Sequence, residues 1–173
     1  MSLRLPYLLS DKMVLQRNKS VKIWGWADPG ETVTVNFLGK SYSTKATDEG
    51  KWEVTLPPLQ AGGPYLMEIK CTHLTITIKD ILIGDVWICS GQSNMVLPME
   101  RVIDSYPEEL EDCNIPSIRQ FTVPDRYYFK GPLEELEGGC WEVLSKETLL
   151  KFSAVGYFCK STLQKIQCTN WTD

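Results

Sequence analysis

The sequence predicts a mixed β and α/β chain: an amino-terminal antiparallel β-sandwich over residues 1–80, then the incomplete start of an α/β domain over residues 81–173. Three observations lead there. Between Val21 and Lys79 apolar and polar residues alternate in short runs, the period of strands with one buried face. From Ile81 to Cys89 the alternation gives way to a nearly continuous apolar run, as in strands buried on both faces of a parallel sheet. A helical spacing of three and four then emerges late, from Glu147 to Ile166.

Taken in order, the alternating segment puts Val33, Val35 and Phe37 on one strand face. Trp52, Val54 and Leu56 share a second face, Tyr65, Met67 and Ile69 a third, and Leu74, Ile76 and Ile78 a fourth. Turns are expected at Asp28-Pro29-Gly30, Asp48-Glu49-Gly50 and Gly62-Gly63-Pro64, giving a sandwich of roughly six or seven strands. Trp24, Trp26 and Trp52 could stack on a sugar, but alternating strands of a small sandwich usually bury their tryptophans, and the core reading is preferred.

Beyond Cys89, Pro107 to Cys113 reads as a short acidic helix and Ser117 to Val123 as a strand. The last helix would align Leu150, Ala154, Val155, Phe158, Cys159, Leu163 and Ile166 on one face. Two strand candidates after Lys79 are fewer than a doubly wound sheet requires. The second domain is therefore expected to be truncated, or covered by another copy of the chain, which would favour self-association.

Composition removes several function classes. With 173 residues, 43% of them apolar, the chain can bury a core, and its net charge of -4 supplies no basic stripe for nucleic acid. No apolar run approaches the roughly 18 residues of a membrane span, and the opening Met-Ser-Leu-Arg-Leu-Pro lacks a signal-peptide stretch, so a soluble, cytoplasmic protein is expected. Six cysteines, Cys71, Cys89, Cys113, Cys140, Cys159 and Cys168, form no C-x-x-C pair and read as reduced thiols. The run Pro107-Glu108-Glu109-Leu110-Glu111-Asp112 solvates a helix better than it gathers the converging oxygens a hard cation needs. Neither metal nor cofactor is expected.

Chemistry concentrates in Ser90-Gly91-Gln92-Ser93-Asn94-Met95, which follows the expected buried strand, where open α/β sheets place their ligands. A serine hydroxyl there can attack a carbonyl carbon when a base takes its proton, while its backbone N–H helps hold the oxyanion. Gly91 lets the backbone approach a substrate. An isolated serine after a strand is more often a helix cap, and Ser93 or Asn94 could serve that end. The G-x-S-x-G elbow of α/β-hydrolases is not met, since Met95 replaces its second glycine.

The longer string Gly84-Asp85-Val86-Trp87-Ile88-Cys89-Ser90-Gly91-Gln92-Ser93-Asn94-Met95 closely resembles the signature of sialate O-acetylesterases of the SGNH hydrolase superfamily. The resemblance extends to Met13-Val14-Leu15-Gln16-Arg17, Trp24-Gly25-Trp26, Gly50-Lys51-Trp52, Ile118-Arg119-Gln120-Phe121 and Phe152-Ser153-Ala154-Val155-Gly156-Tyr157-Phe158. It implies a β-sandwich before an SGNH-type α/β domain, with Ser93 as nucleophile and Gly91, Gln92 and Asn94 beside it at the oxyanion and substrate. The implied substrate is an O-acetylated sialic acid or related sugar.

The family's Trp-Gly-Gly-Thr, Gln-Gly-Glu and Asp-x-x-His segments do not occur here, so a truncated and inactive form is expected. His73, the single histidine, reads as a solvated turn residue, and Asp85 as an anchor of neighbouring loops. The competing expectation is a non-catalytic module that binds sugar or a partner chain.

Overall fold

A computed structural model describes residues 3–111, 113–133 and 135–159, and the chain divides into two compact units. Unit 1 comprises Met1–Val86 and Phe121–Trp141; unit 2 comprises Trp87–Gln120 and Glu142–Asp173.

Unit 1 is built of seven strands: β1 (Val14–Gln16), β2 (Val21–Trp26), β3 (Thr32–Phe37), β4 (Lys40–Lys45), β5 (Lys51–Leu56), β6 (Gly62–Lys70) and β7 (Thr75–Gly84). One sheet has the order β1-β7-β6-β3-β4 and the other pairs β2 with β5. Most of the expected inward faces supply a single core, with Trp52, Val54 and Leu56 joining Ile23 from the smaller sheet and Val33, Val35, Phe37, Met67, Ile69 and Ile78 from the larger; Tyr65 and Ile76 are partly buried against it, and Leu74, just before β7, is exposed. The core reading thus holds for Trp52, whose indole Nε1 is buried with no partner among the described residues.

Local chemistry explains the turns. Gly30 adopts φ 76° after Asp28-Pro29, and Glu31 N–H donates to Asp28 C=O at 3.0 Å. Leu38 and Gly39 both take positive φ, 50° and 73°, which matches the twist of a two-residue hairpin between β3 and β4. Gly25 is required by proximity instead: a Cβ there would lie 2.3 Å from the Arg4 carbonyl oxygen, because Arg4 bridges Trp26 through paired 2.9 Å backbone bonds. Arg4 also stacks its guanidinium 3.6 Å above the Trp26 ring and pairs with Glu135. The Phe121–Trp141 segment is tied into the same unit by Trp141, whose Nε1 donates to Leu8 C=O at 2.9 Å.

Two expectations about unit 1 change. Gly62-Gly63-Pro64 is not a separate turn but the irregular start of β6, where Gly62 faces Ile83 and Tyr65 faces Ile81. The run from Ile81 to Cys89 is not a strand buried on both faces. Ile81 to Gly84 is the end of β7, and residues 85–90 form no ladder.

The reason is a β-bulge. Between the pairs Met67↔Ile78 and Tyr65↔Ile81, β6 advances two residues while β7 advances three. Asp80 absorbs the extra residue at φ 57°, so Ile78 and Ile81 are both buried in the core although they lie three positions apart. Read by eye, that phase break looks like the loss of alternation.

Unit 2 contains all but the last residue of β8 (Ile115–Phe121) and all but the first of β9 (Trp141–Leu144), which pair with each other, one turn of helix α1 (Ser93–Val96), and 3-10 turns at Met99–Arg101, Ile103–Ser105, Pro107–Leu110 and Leu149–Lys151. Its core gathers Met99, Cys113, Ile118, Leu144, Leu149, Phe152, Ala154 and Tyr157. The acidic helix expected over Pro107 to Cys113 is the shorter 3-10 turn ending at Leu110.

The final helix begins at residue 154, not at Glu147. Thr148 and Leu149 N–H both donate to Ser145 C=O, at 3.2 and 2.9 Å, but the turn that follows is 3-10 and Ser153 is drawn into a bridge with Pro98, so no continuous α-helix runs from Glu147 into Ala154. Leu150 is accordingly exposed while Leu149 and Phe152 are buried. Leu163 and Ile166 lie outside the described residues. An SGNH-type sheet is not seen among the described residues, and none of their helices is long and apolar enough to cross a membrane.

Because Leu56 is fully buried and Thr55 beside it is exposed, Leu56→Ala should lower unfolding free energy by about 2–5 kcal/mol and Thr55→Ala by at most about 0.5. Urea titration followed by tryptophan fluorescence checks both.

Candidate active site

The stretch that leads to Ser93 leaves β7 under constraint. β1 runs parallel to β7 with Gln16 opposite Gly84, and Arg17 N–H donates to Gly84 C=O at 2.8 Å. Arg17 Nε then donates to Asp85 Oδ1 at 2.8 Å, and Val86 N–H to Gln16 Oε1 at 2.9 Å. Asp85 is therefore an anchor, as its position in the sequence suggested. Trp87 and Ile88 follow without ladder partners, 60% and 90% exposed. Ser93 thus comes after an irregular stretch and not directly after a strand.

Ser93 is the first residue of α1 and is exposed, as are Gly91, Gln92 and Asn94. Gln92 is the N-cap. Its carbonyl accepts from Met95 and Val96 N–H at 2.9 and 3.2 Å, and Ser93 C=O accepts from Leu97 N–H at 2.9 Å. No side chain caps this turn, so neither Ser93 nor Asn94 holds the capping role that a bare reading of the sequence allowed. The hydroxyl of Ser93 is presented on a short turn facing solvent, a geometry that can meet a carbonyl carbon.

The far side of the turn is fixed by two segments that carried no assigned role in the sequence. Leu97 C=O accepts from Ala154 N–H at 2.8 Å and Phe152 C=O from Met99 N–H at 2.9 Å, on either side of the Pro98–Ser153 bridge. Ser153 Oγ donates to Met95 C=O at 2.7 Å, and Ser153 N–H donates to Gln120 Oε1 at 2.9 Å. Phe152 and Met99 are buried beneath. The only signal for Ser153 and Gln120 in the sequence was their presence in strings resembling the family, Ile118-Arg119-Gln120-Phe121 and Phe152-Ser153-Ala154.

His73 is exposed in the turn between β6 and β7 of unit 1, where Cys71 N–H donates to Leu74 C=O at 2.9 Å. Glu109 of the acidic run accepts a hydrogen bond from the Tyr157 hydroxyl. Burial, that hydrogen bond and the Glu109 charge together push the Tyr157 phenol well above its ordinary value. The described cysteines are all free, and Cys89, Cys140 and Cys159 are exposed.

No family model matches the chain. It is 33% identical to the sialate O-acetylesterase of Mus musculus over 131 residues and to that of Homo sapiens over 132, in each case 69% of its length. The chain spans about a quarter of the length of these curated relatives, 24% and 25%. Among solved structures, a carbohydrate acetylesterase from Xanthomonas citri matches with a TM-score of 0.90 and 36% identity over 95% of this chain and 38% of that one.

The Tyr157 shift has a pH consequence. A tyrosine whose proton is held more tightly folded than unfolded contributes stability that is complete below the unfolded value, near 10, and is lost as pH rises beyond it. Unit 2 should therefore lose stability progressively above about pH 10, and Tyr157→Phe should flatten that dependence. Thermal midpoints of both proteins across the alkaline range check it.

Proposed function

Across the residues matched, this chain belongs to the family of the sialate O-acetylesterases, and on that premise we propose that it carries the nucleophile of a carbohydrate O-acetylesterase site, Ser93. The observation that supports the reading most directly is the exposed Ser93 at the head of α1, in the Gly-Gln-Ser-Asn setting of that family. Ser93 Oγ attacks the acetyl carbonyl of an O-acetylated sialic acid or related sugar, and its proton passes to a base. The ester C–O bond breaks as the sugar oxygen takes a proton, leaving acetyl-Ser93, and water then releases acetate and restores the hydroxyl. Gly91, Gln92 and Asn94 line the approach, and the Ser93 backbone N–H faces the developing oxyanion. No cofactor enters this scheme.

We assign unit 2 as the start of an SGNH-type α/β domain. Three segments with which the family completes its site, Trp-Gly-Gly-Thr, Gln-Gly-Glu and Asp-x-x-His, are not among these 173 residues. The 173-residue chain by itself thus holds a nucleophile without its base and acid, and hydrolyses acetyl esters very weakly or not at all. The second reading, a non-catalytic sugar- or protein-binding module, draws support from the exposed turn position of the single histidine, His73.

Two measurements test these readings. Purified 173-residue chain should turn over p-nitrophenyl acetate at close to the solution rate, with Ser93→Ala making little difference; robust turnover abolished by the substitution would mean that a base lies within the chain. A chimera in which the matched part of the Xanthomonas citri carbohydrate acetylesterase is replaced by this chain should hydrolyse acetyl esters and lose roughly 10³-fold or more in kcat on Ser93→Ala. A folded chimera indifferent to that substitution would favour the binding module.

A further inference from the structure

We infer that Ser153 is a positioning residue for Ser93, using one hydroxyl to cap its own helix and to hold the carbonyl of the turn on which Ser93 stands. The assignment of Ser93 as nucleophile rests on the reading above; the geometry of Ser153 does not.

Ser153 precedes the helix at residues 154–159, and its carbonyl accepts the helix's first bond from Tyr157 N–H at 2.8 Å. Its hydroxyl oxygen accepts from Gly156 N–H at 3.3 Å, the bond an N-cap serine makes to the third helical residue. The same hydroxyl donates to Met95 C=O at 2.7 Å. A serine or threonine can do both at once because it has one O–H donor and two acceptor lone pairs. An aspartate caps equally well but has nothing to donate.

The backbone of Ser153 is held in turn. Its N–H goes to Gln120 Oε1 at 2.9 Å on β8, and its flanking residues bond to Leu97 and Met99 immediately beyond α1. A Cβ on Gly156 would come within 3.4 Å of Cys89 Sγ and 3.6 Å of Ser153 Oγ, so that glycine keeps the helix start close to the stretch that precedes Ser93. The donor thus sits on a rigid support, while α1 is a single exposed turn without a side-chain cap. Positioning of this kind matters because small displacements of a nucleophile cost large factors in rate.

The test reads the turn itself and needs no ester hydrolysis, so its failure is distinguishable from failure of the esterase reading. Amide hydrogen exchange is measured by NMR on the 173-residue chain for Met95, Val96 and Leu97 and, separately, for Gly156 and Tyr157. Ser153→Ala should speed exchange in both groups by roughly 2- to 10-fold, the range of one net hydrogen bond. Ser153→Asp should speed only Met95, Val96 and Leu97, and Ser153→Thr should restore both groups. Unchanged exchange at Met95 to Leu97 in Ser153→Asp would overturn the proposal and reduce Ser153 to a helix cap; equal acceleration of both groups in that variant would overturn it as well, as a general loosening of the unit. Should Ser153→Ala not fold, the Asp and Thr variants still decide.

Discussion

β7 is the strand on which the organisation of unit 1 depends, because it is hydrogen-bonded along both edges by strands of opposite sense. β6 pairs with it antiparallel and β1 parallel, so the short β1 can exist only because a finished neighbour offers it a row of partners. The bulge at Asp80 is part of the same arrangement. It leaves Lys79 groups out of register with β6, and the chain before β1 takes them up: Lys12 N–H donates to Lys79 C=O at 3.0 Å and Lys79 N–H to Asp11 Oδ1 at 2.7 Å. Satisfying those groups offsets the cost of breaking the ladder. The strand then delivers Gly84 and Asp85 to Arg17 in a defined place.

That bulge also marks the limit of what could be read from the residues. Where side chains alternate without interruption the reading was accurate: Val33, Val35 and Phe37, or Trp52, Val54 and Leu56, are buried as a two-residue period requires. At Ile81 the period slips by one residue, and a pattern count cannot tell a slipped half-buried strand from one buried on both sides. The hairpin at Leu38-Gly39 was invisible for a different reason, since leucine is a poor indicator of positive φ and only its glycine neighbour and the flanking strands impose it. β1 escaped notice because three residues carry too little periodicity to register.

The carboxyl-terminal helix illustrates tertiary override. Leu150, Ala154, Phe158 and their neighbours have helical spacing, yet Phe152 and Ala154 are already committed to backbone bonds with Met99 and Leu97, and Ser145 and Thr148 close a turn before Leu149. Helix propensity differences of a few tenths of a kcal/mol per residue do not compete with several satisfied hydrogen bonds over a buried Phe152. The candidate site was legible in part. Ser93 stood out through the twelve-residue string around it, whereas Ser153 and Gln120 act through contacts that no local spacing encodes.

This difference says something about how the Ser93 turn is held. A helix of four residues lies far below the length at which helical hydrogen bonds offset the cost of nucleation, so α1 cannot owe its shape to Ser93-Asn94-Met95-Val96 alone. The Met95 carbonyl takes its partner from outside the turn, a residue 58 positions later in the chain. The motif Gly-Gln-Ser-Asn therefore supplies the exposed serine without specifying its geometry. The same tetrapeptide grafted onto a strand-to-helix junction that lacks a donor opposite Met95 would sample many orientations, and the hydroxyl would meet an ester carbonyl productively only in a small fraction of them. The orientation of Ser93 is accordingly a property of the packed unit, in which Gln120 bonds the Ser153 backbone and the Ser153 hydroxyl bonds the Met95 carbonyl.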